Sequence, residues 1–454
     1  MSCKFRRVVK TKDSIPQPHQ VALIGIGISI ISLVLSFIIY VFLHRINNIY
    51  FNSDSLINIT SNFMIFNSIF ILLLICLYYL LNRKRDRLTT FEVGIMNPNA
   101  LKLSKEMLRL FNDKNIIDIL KLSKLTRYGH EMPQVFVYVD DSLDEGYVAI
   151  ENICNYDLLD KSKFNEILAG LFKWKFNNYS IVDSHLTQSN SYVIFEFEDT
   201  TKSHRFVIEN DKDIELCVSE NKHHLKLSND LVWRSDQSPH LSIIARTRTG
   251  KSVLAGRYLA QLMSMQGWAV DYNSAKPDIY VKKHNGKSDI EDIVERCEYW
   301  VSIMNSRLEF INKAGKEKYL DIEDMVDVAV FFDEIGNLNA GLESDRSLKS
   351  RWVKSINKLA ATGGSAGIHI IAISQYATIE AFLPGLARVN CSDCVIMLGG
   401  SANSADERRF LVPGSDVPSR KYGKGQGLAR FVTSGSKWEN LHYFEAPYFT
   451  DYDK

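Results

Sequence analysis

The sequence predicts an α/β fold with a mostly parallel sheet for residues 229–454. This domain is preceded along the chain by two predicted membrane-spanning helices and a small α+β domain. Three observations support this prediction. Continuous apolar runs alternate with helical patterns from Leu231 onward, as expected for parallel strands that are buried on both faces. Some of those runs end in short polar motifs that suit a site at the carboxyl edge of a sheet. Two long uncharged apolar stretches lie near the N-terminus.

Residues 1–95 are predicted to form a membrane anchor. Residues 21–43 are uncharged and almost entirely apolar, and residues 63–81 form a second such run. Each run is close to the roughly 20 residues that a helix needs to cross the hydrocarbon core of a bilayer. A cleaved signal peptide is the alternative for the first run. That run is longer than the apolar core of a signal peptide, however, and a second span follows it.

Basic residues flank both predicted spans and predict their orientation, because positively charged flanks stay on the inner side of the membrane. The loop between the spans offers only Arg45 near a membrane edge. The N-terminus and everything after residue 82 are therefore predicted to be cytoplasmic, with an external hairpin over residues 45–62. The flanking charges could also contact anionic membrane lipid, although fixing the topology is their simpler role. The flanking residues are Lys4, Arg6, Arg7, Lys10, Lys12, Arg83, Lys84, Arg85 and Arg87.

Residues 96–228 are predicted to form a small α+β domain that carries no chemical site. A helical pattern comes first, and four strand-like runs follow it. The turn-rich residues 198–203 separate the last two runs, which predicts a hairpin. His204, His223 and His224 are expected to be surface residues rather than metal ligands, since adjacent side chains point in different directions. The helical pattern covers residues 97–122, and the strand-like runs cover residues 135–139, 147–150, 192–197 and 205–208.

A phosphate-binding loop is predicted where the apolar run 241–244 turns into a helical pattern. Backbone N–H groups at a helix N-terminus attract phosphate because they lack intrahelical acceptors. Gly250 lets the backbone approach the phosphates, Lys251 can reach the β- and γ-phosphates, and the Ser252 hydroxyl can ligate Mg²⁺. ATP and Mg²⁺ are therefore the expected cofactors. The loop consists of Ala245, Arg246, Thr247, Arg248, Thr249, Gly250, Lys251 and Ser252.

The loop departs from the usual pattern at three positions. Ala245 stands where the first glycine is expected, and its Cβ is unfavourable if that position needs a positive φ. A degenerate loop is therefore the alternative. Arg246 and Arg248 could add positive charge near the nucleotide, or they could point to solvent, which is the preferred interpretation for at least one of them.

Two further apolar runs end in residues that suit nucleotide hydrolysis. The run 328–332 leads into Asp333, which would hold Mg²⁺ mostly through water, and Glu334, which would act as general base. Solvent-exposed acids at a strand end are the alternative. Gln375 follows the run 368–373 and can sense the γ-phosphate or position water, unless it merely ends a strand. Other strands are predicted at residues 268–272, 393–398 and 427–432, and helices at residues 290–311 and 347–361.

Composition adds two constraints. The 54 basic and 53 acidic residues nearly balance, so any polyanion must be held by local charges rather than by a global field. The seven cysteines are odd in number and scattered, which does not indicate a disulfide framework.

The motifs of residues 229–433 resemble those of the FtsK/SpoIIIE family of DNA-pumping ATPases. Pro239-His240-Leu241 before the loop is similar to the family's entry into its P-loop, and residues 366–375 are similar to its strand that ends in glutamine. Two spans followed by one motor domain also resemble the FtsK-like coupling proteins of conjugative plasmids and integrative elements of Gram-positive bacteria.

This resemblance implies a RecA-like P-loop NTPase domain that assembles as a homo-hexamer, binds DNA and translocates it using ATP. It assigns Lys251, Ser252, Asp333, Glu334 and Gln375 the roles of P-loop lysine, magnesium ligand, magnesium-binding acid, catalytic glutamate and sensor. It also implies a relaxase, with its relaxosome, and conjugation channel proteins as partners.

Two basic positions of the family are unfilled, because Gly364 and Tyr376 stand there in this chain. An arginine lent to the neighbouring subunit's γ-phosphate then has an uncertain source. Two other functions remain open: an ATPase that secretes polypeptides, which would more often carry several motor domains, and a ring or scaffold subunit with weak catalysis. Candidates for the arginine are Arg388, Arg408 and Arg409.

Overall fold

A computed structural model describes residues 8–9, 15–46, 54–83, 91–111, 124–153, 176–415, 417 and 420–453. The chain divides into two compact units, Met1–Asp160 with His185–Ile194, and Lys161–Ser184 with Phe195–Lys454. The borders predicted after residues 95 and 228 remain predictions.

The first unit begins with two long apolar helices, α1 (Pro18–Ile46) and α2 (Asp54–Arg83), which pack against each other. Most of their large apolar side chains are exposed, and their length and composition would allow both to cross a membrane. Each helix extends beyond the predicted span. Residues 54–62 of the predicted external hairpin are helical, and residues 47–53 lie outside the described residues.

The rest of the first unit is a small α+β arrangement. Helix α3 (Pro98–Leu110) starts where the Asn97 side chain accepts a hydrogen bond from the backbone N–H of Ala100 at 2.8 Å. It packs on β4, and the Ser104 hydroxyl donates to the carbonyl of Val137 at 2.6 Å. The helix predicted over residues 97–122 is confirmed as far as residue 110, and residues 112–123 lie outside the described residues. The strands are β1 (Val8–Val9), β2 (Lys124–Thr126), β3 (Gly129–Glu131), β4 (Val135–Val139) and β5 (Glu145–Glu151).

One predicted hairpin is wrong. Strand β7 (Tyr192–Asp199) pairs with β6 (Tyr179–Leu186), and β8 (Val207–Ile208) pairs in parallel with β18 (Tyr448–Phe449), more than two hundred residues later. The chain does not turn back after residue 199 because β7 already has its hairpin partner in the preceding strand. A two-residue strand carries too little pattern to indicate so distant a partner.

The second unit is built on a seven-stranded sheet with the order β12-β13-β14-β11-β15-β16-β17. The first five strands in that order are parallel, and β16 and β17 continue antiparallel. The predicted α/β class with a mostly parallel sheet is therefore confirmed. The seven strands are β11 (Leu241–Ala245), β12 (Ala269–Ser274), β13 (Val328–Asp333), β14 (Ile368–Ser374), β15 (Cys394–Leu398), β16 (Gln426–Phe431) and β17 (His442–Glu445). Strands β9 (His224–Lys226) and β10 (Val232–Arg234) form a separate antiparallel pair.

Apolar side chains fill both faces of the sheet. On β11, Ile243 belongs to one core cluster and Ile244 to the other, because successive side chains of a strand point to opposite faces. Helices cover both clusters, which explains why the strands appear in the sequence as unbroken apolar runs. The helices are α4 (Ala260–Met265), α5 (Ile279–Lys283), α6 (Ile290–Lys313), α7 (Ile335–Leu342), α8 (Arg346–Thr362), α9 (Gly385–Asn390), α10 (Gly400–Asn403) and α11 (Ala405–Leu411).

A buried polar cluster lies at the amino ends of the central strands. Asp327 accepts hydrogen bonds from His223 and His369 at 3.0 Å each and from the Tyr319 hydroxyl at 2.6 Å. Burial raises the pKa of the Asp327 carboxyl, but these partners outweigh burial and hold it below the ordinary value. The prediction that His223 is a surface histidine is therefore wrong, since its ring is turned onto a buried acid.

His240 beside this cluster is expected to make stability dependent on pH. Its ring accepts from the N–H of Ile370 and contacts the carbonyl of Ala360, each at 3.0 Å, and burial and the nearby His369 lower its pKa to about 3. The unfolded chain takes up this proton near pH 6.5, so acid favours the unfolded state. His240→Gln should be less stable at pH 7.5. Below about pH 6.5 the difference should narrow by up to about 1.4 kcal/mol per pH unit.

Thermal unfolding of the full-length chain in detergent, compared between the two proteins from pH 7.5 to pH 5, measures this effect. A difference in stability that stays constant over this range would contradict it.

Candidate active site

The predicted phosphate loop connects β11 to a helix. Strand β11 ends at the fully buried Ala245, and helical structure begins at Lys251. The helix is π-helical over Val253–Leu259 and continues as α4. The N–H groups of such a first turn have no intrahelical acceptors, so they can bind phosphate oxygens.

The backbone of the loop tolerates Ala245 without strain. The positive φ angles belong to Arg248 at 66° and Gly250 at 106°, and Ala245 takes part in regular parallel pairing with Leu398. The expected steric conflict at the missing first glycine therefore does not arise. Within the loop, the non-glycine residue in the left-handed region is Arg248, whose side chain is exposed.

Two glycines from neighbouring segments let the loop pack closely. The N–H of Gly425 donates to the carbonyl of Thr249 at 2.8 Å. At Gly399, where φ is 60°, an added Cβ would lie 2.4 Å from the Thr249 side chain. These contacts hold the loop over the end of β15 and the turn before β16.

Lys251 lies between the two acids at the end of β13. Its ammonium group is 3.0 Å from Asp333 Oδ1 and 2.6 Å from Glu334 Oε1. All three side chains are buried, with exposures of 8% for Lys251, 4% for Asp333 and 8% for Glu334. The structure thus brings together residues that lie 82 and 83 positions apart in the sequence. The acids are therefore not the solvent-exposed strand end of the alternative interpretation.

The pKa values follow from burial and from this pairing. Burial opposes the charge of Lys251, but the two carboxylates outweigh it and raise its pKa. Burial raises the pKa of Asp333 even though Lys251 acts in the opposite direction. At Glu334, burial is outweighed by Lys251 and by Gln375, so its pKa is lowered. Glu334 is therefore ionised at neutral pH, as a general base must be.

Glu334 and Gln375 lie at the carboxyl ends of adjacent strands. The backbone of Glu334 is left-handed, with φ 54° and ψ 44°, and helix α7 begins at the next residue. The Gln375 amide donates to Glu334 Oε2 at 2.9 Å and accepts from the Thr247 hydroxyl at 3.3 Å. Gln375 thus connects the acid to the phosphate loop, which a glutamine that merely ended a strand would not do.

Tyr272 is a site residue that the sequence did not indicate. Its hydroxyl donates to Asp333 Oδ2 at 3.0 Å, and burial, with Asp333 beside it, raises its pKa well above the usual value. The phenol is therefore a permanent donor that orients the carboxylate. The sequence predicts that Tyr272 lies at the end of a strand over residues 268–272. It does not predict that β12 lies next to β13.

The arginines near the loop have different environments. Arg246 pairs with the buried Glu407 at 2.8 Å and lies over the Tyr376 ring at 5.7 Å, whereas Arg248 points to solvent. Arg408 is buried and donates to the backbone carbonyls of Ala402 and Val417 at 2.7 and 3.0 Å. The interpretation of Arg408 as a residue lent to a neighbouring subunit is therefore wrong.

Helix α7 is bound to the loop that follows Gln375. The Asn339 amide donates to the carbonyls of Glu380 and Phe382, each at 2.9 Å. The same loop accepts a hydrogen bond from Ser374 at the carbonyl of Ala381, at 2.7 Å. The helix that starts at the catalytic candidate and the loop after the sensor candidate therefore form one connected layer.

The donor set fits Mg²⁺. Asp333 offers a carboxylate, and Ser252 offers a hydroxyl in the first helical turn, and magnesium prefers such oxygen ligands together with water and phosphate oxygens. Lys251 already neutralises charge at Asp333.

Several solved structures are similar to this chain. The conjugation coupling protein TcpA of pCW3, in a monomer form with ATPγS, is 16% identical with a TM-score of 0.48, over 77% of this chain and 96% of that one. The cytoplasmic domain of the type VII secretion ATPase EccC of Thermomonospora curvata is 17% identical with a TM-score of 0.41, over 54% of this chain and 32% of that one. ATPases 2 and 3 of EssC from Geobacillus thermodenitrificans are 12% identical with a TM-score of 0.40, over 54% of this chain and 47% of that one. No protein-family model and no curated protein matches the chain.

The first of these structures is a conjugation coupling protein, the class that the predicted layout of two spans and one motor domain resembles. At such identities and TM-scores, the matches assign neither a reaction nor residue roles to this chain. Its own geometry, with a phosphate loop after β11 and paired acids at the end of β13, gives it an α/β fold of the P-loop type.

Proposed function

We propose that this protein is a membrane-anchored ATPase that moves DNA as the coupling protein of a conjugative element. The observation that carries the proposal is the convergence of Lys251, Asp333, Glu334 and Gln375 at the carboxyl edge of the parallel sheet. Ligands of open α/β sheets bind at this edge. A buried lysine paired with two acids beside a helix N-terminus suits a nucleoside triphosphate.

Each residue has a distinct task in the proposed reaction. The first-turn N–H groups bind the phosphates, and Lys251 pairs with the β- and γ-phosphates. Ser252 and Asp333 would hold Mg²⁺, which would neutralise the charge that develops on the phosphate oxygens. Glu334 accepts the proton of the attacking water, and Gln375 holds that carboxylate in place.

Binding of ATP exchanges one set of ion pairs for another. Lys251 occupies the space between the two acids in the structure. If Lys251 turned to the phosphates, Asp333 would be available as a metal ligand. Glu334 would lose one of its two hydrogen-bonded partners and become available to water.

A homo-hexameric ring is part of the proposal, because it would let one subunit lend an arginine to the next. Arg388 and Arg409 remain the candidates. Arg409 is exposed, and Arg388 lies over the Phe410 ring at 4.0 Å. The relaxase with its relaxosome and the channel proteins of the conjugation machinery are the proposed partners.

DNA is proposed as the cargo because residues 239–241 and 366–375 resemble the motifs of DNA-pumping ATPases. The full-length chain in detergent should hydrolyse ATP faster when DNA is added and should be indifferent to an unfolded polypeptide. Single- and double-stranded DNA are both to be tried. Stimulation by polypeptide alone would replace this proposal with a secretion ATPase. Absence of hydrolysis in every condition would leave a scaffold subunit.

Membrane anchoring is supported by the two exposed apolar helices and by the basic residues that flank them. A reporter enzyme fused after Lys84 should be active on the cytoplasmic side, where ATP is available. An external signal from this fusion would contradict the proposed orientation.

A further inference from the structure

We infer that a cavity beside the phosphate loop binds the base and ribose of the nucleotide, and that its aromatic wall is formed by Tyr448. This inference rests on the proposed function, since it assigns the nucleoside half of the ligand whose phosphates the loop would bind. It also extends the nucleotide site beyond residues 229–454, because Arg205 takes part in the cavity.

The cavity starts at the phosphate loop itself. It has a volume of about 170 Å³, and Gly250 and Val253 form the side toward the loop. A nucleoside attached to phosphates at the first helical turn must lie within a few ångströms of that turn. The remaining lining residues are Arg205, Lys424, Gly425, Ala446, Pro447, Tyr448 and Phe449.

The aromatic wall depends on the pairing of two distant segments. Strand β18 runs parallel to β8, and the N–H of Tyr448 donates to the carbonyl of Phe206 at 2.9 Å. The guanidinium of Arg205 lies over the Tyr448 ring, 4.6 Å from its centre. Both segments must therefore be in place for the wall to form.

Arg257 holds this wall against the helix that follows the loop. Its guanidinium binds Asp211 at 2.8 Å and both carboxylate oxygens of Asp451 at 2.6 and 2.8 Å. It also lies 4.1 Å from the centre of the Phe449 ring. Because Arg257 is on the π-helical segment after the loop, the cavity and the phosphate loop share one rigid support.

The chemistry of the lining suits a flat, partly polar ligand. An apolar cavity of about 150 Å³ is large enough to bind benzene, so this open cavity has room for an aromatic ring system. The half-buried Tyr448 offers a stacking surface, and Arg205 and Lys424, which also line the cavity, supply cations.

The test compares ATP with tripolyphosphate, which has the phosphates and no nucleoside. In full-length protein in detergent with Mg²⁺, Tyr448→Ala should weaken ATP binding about 5- to 150-fold, the range for loss of one base–aromatic stack. Tripolyphosphate binding should be unchanged. Tyr448→Phe should bind ATP like the natural chain, and Phe310→Ala, an exposed aromatic truncation on α6, is the matched control.

Unchanged ATP affinity in Tyr448→Ala would overturn the inference, and so would equal losses for ATP and tripolyphosphate. Tyr448→Ala could fail to fold, which the loss of its thermal unfolding transition would show. In that case the same two affinities are measured for Ala446→Leu, which fills the cavity and should weaken the binding of ATP but not of tripolyphosphate. A natural chain that binds neither ligand would instead refute the proposed ATPase. The two failures are therefore distinguishable.

Discussion

Glu334→Gln is expected to lower ATP hydrolysis by about 10²- to 10⁴-fold, the usual contribution of a general base. ATP binding should survive, because the amide keeps the shape of the carboxylate and the phosphate loop is untouched. The pairing of Lys251 with Asp333 at 3.0 Å also remains available in the nucleotide-free state. Steady-state phosphate release and equilibrium ATP binding, both on the full-length protein, separate the two effects.

Glu309→Gln is the matched control, since Glu309 is an exposed glutamate on α6 that pairs only with its helical neighbour Lys313 among the described residues. It should leave hydrolysis unchanged. Hydrolysis by Glu334→Gln within a few-fold of the natural chain would assign the base to another residue.

Lys251→Ala is expected to abolish ATP hydrolysis and also to destabilise the nucleotide-free protein. Removing the ammonium leaves Asp333 and Glu334 buried side by side without their cation. Breaking a buried ion pair from one side typically costs about 3–5 kcal/mol. A lower midpoint of thermal unfolding should therefore accompany the loss of activity. Added Mg²⁺ should restore part of the stability, because the cation can compensate the two carboxylates.

Lys313→Ala removes the lysine of an exposed pair and should cost less than about 1 kcal/mol. Because the loss of stability in Lys251→Ala comes from two unpaired acids, adding Glu334→Gln to it should recover part of the midpoint. A Lys251→Ala protein as stable as the natural chain would show that the three buried groups are not coupled as the distances indicate.

Most strands of the sheet could be predicted from the sequence because parallel strands are buried on both faces. The run 328–332 and the acid after it correspond to β13, and residues 368–373 correspond to all but the last residue of β14. Apart from Tyr272, the residues of the candidate site were also predicted, since each lies at or after the end of such a strand. Their mutual contacts were not, because the order of strands in a sheet is set by long-range packing.

The features that the sequence did not indicate also depend on long-range packing. Tyr272 reaches Asp333 only because β12 lies next to β13, and β8 forms only because β18 comes to it from the end of the chain. The steric conflict expected at Ala245 followed from comparing the sequence with the usual P-loop pattern, in which this position is a glycine. The structure places the left-handed backbone at Arg248 and Gly250 instead. Local sequence propensity predicts neither which strands are adjacent nor which loop residues have a positive φ.

Helix α7 also links Glu334 to the loop that follows Gln375. It starts at Glu334 without an intervening loop, and about one turn later Asn339 is tied to the carbonyls of Glu380 and Phe382. That loop carries the exposed apolar side chain of Ile379. Because α7 follows Glu334 directly and its Asn339 binds this loop, a displacement of the loop is expected to shift the backbone of Glu334 as well.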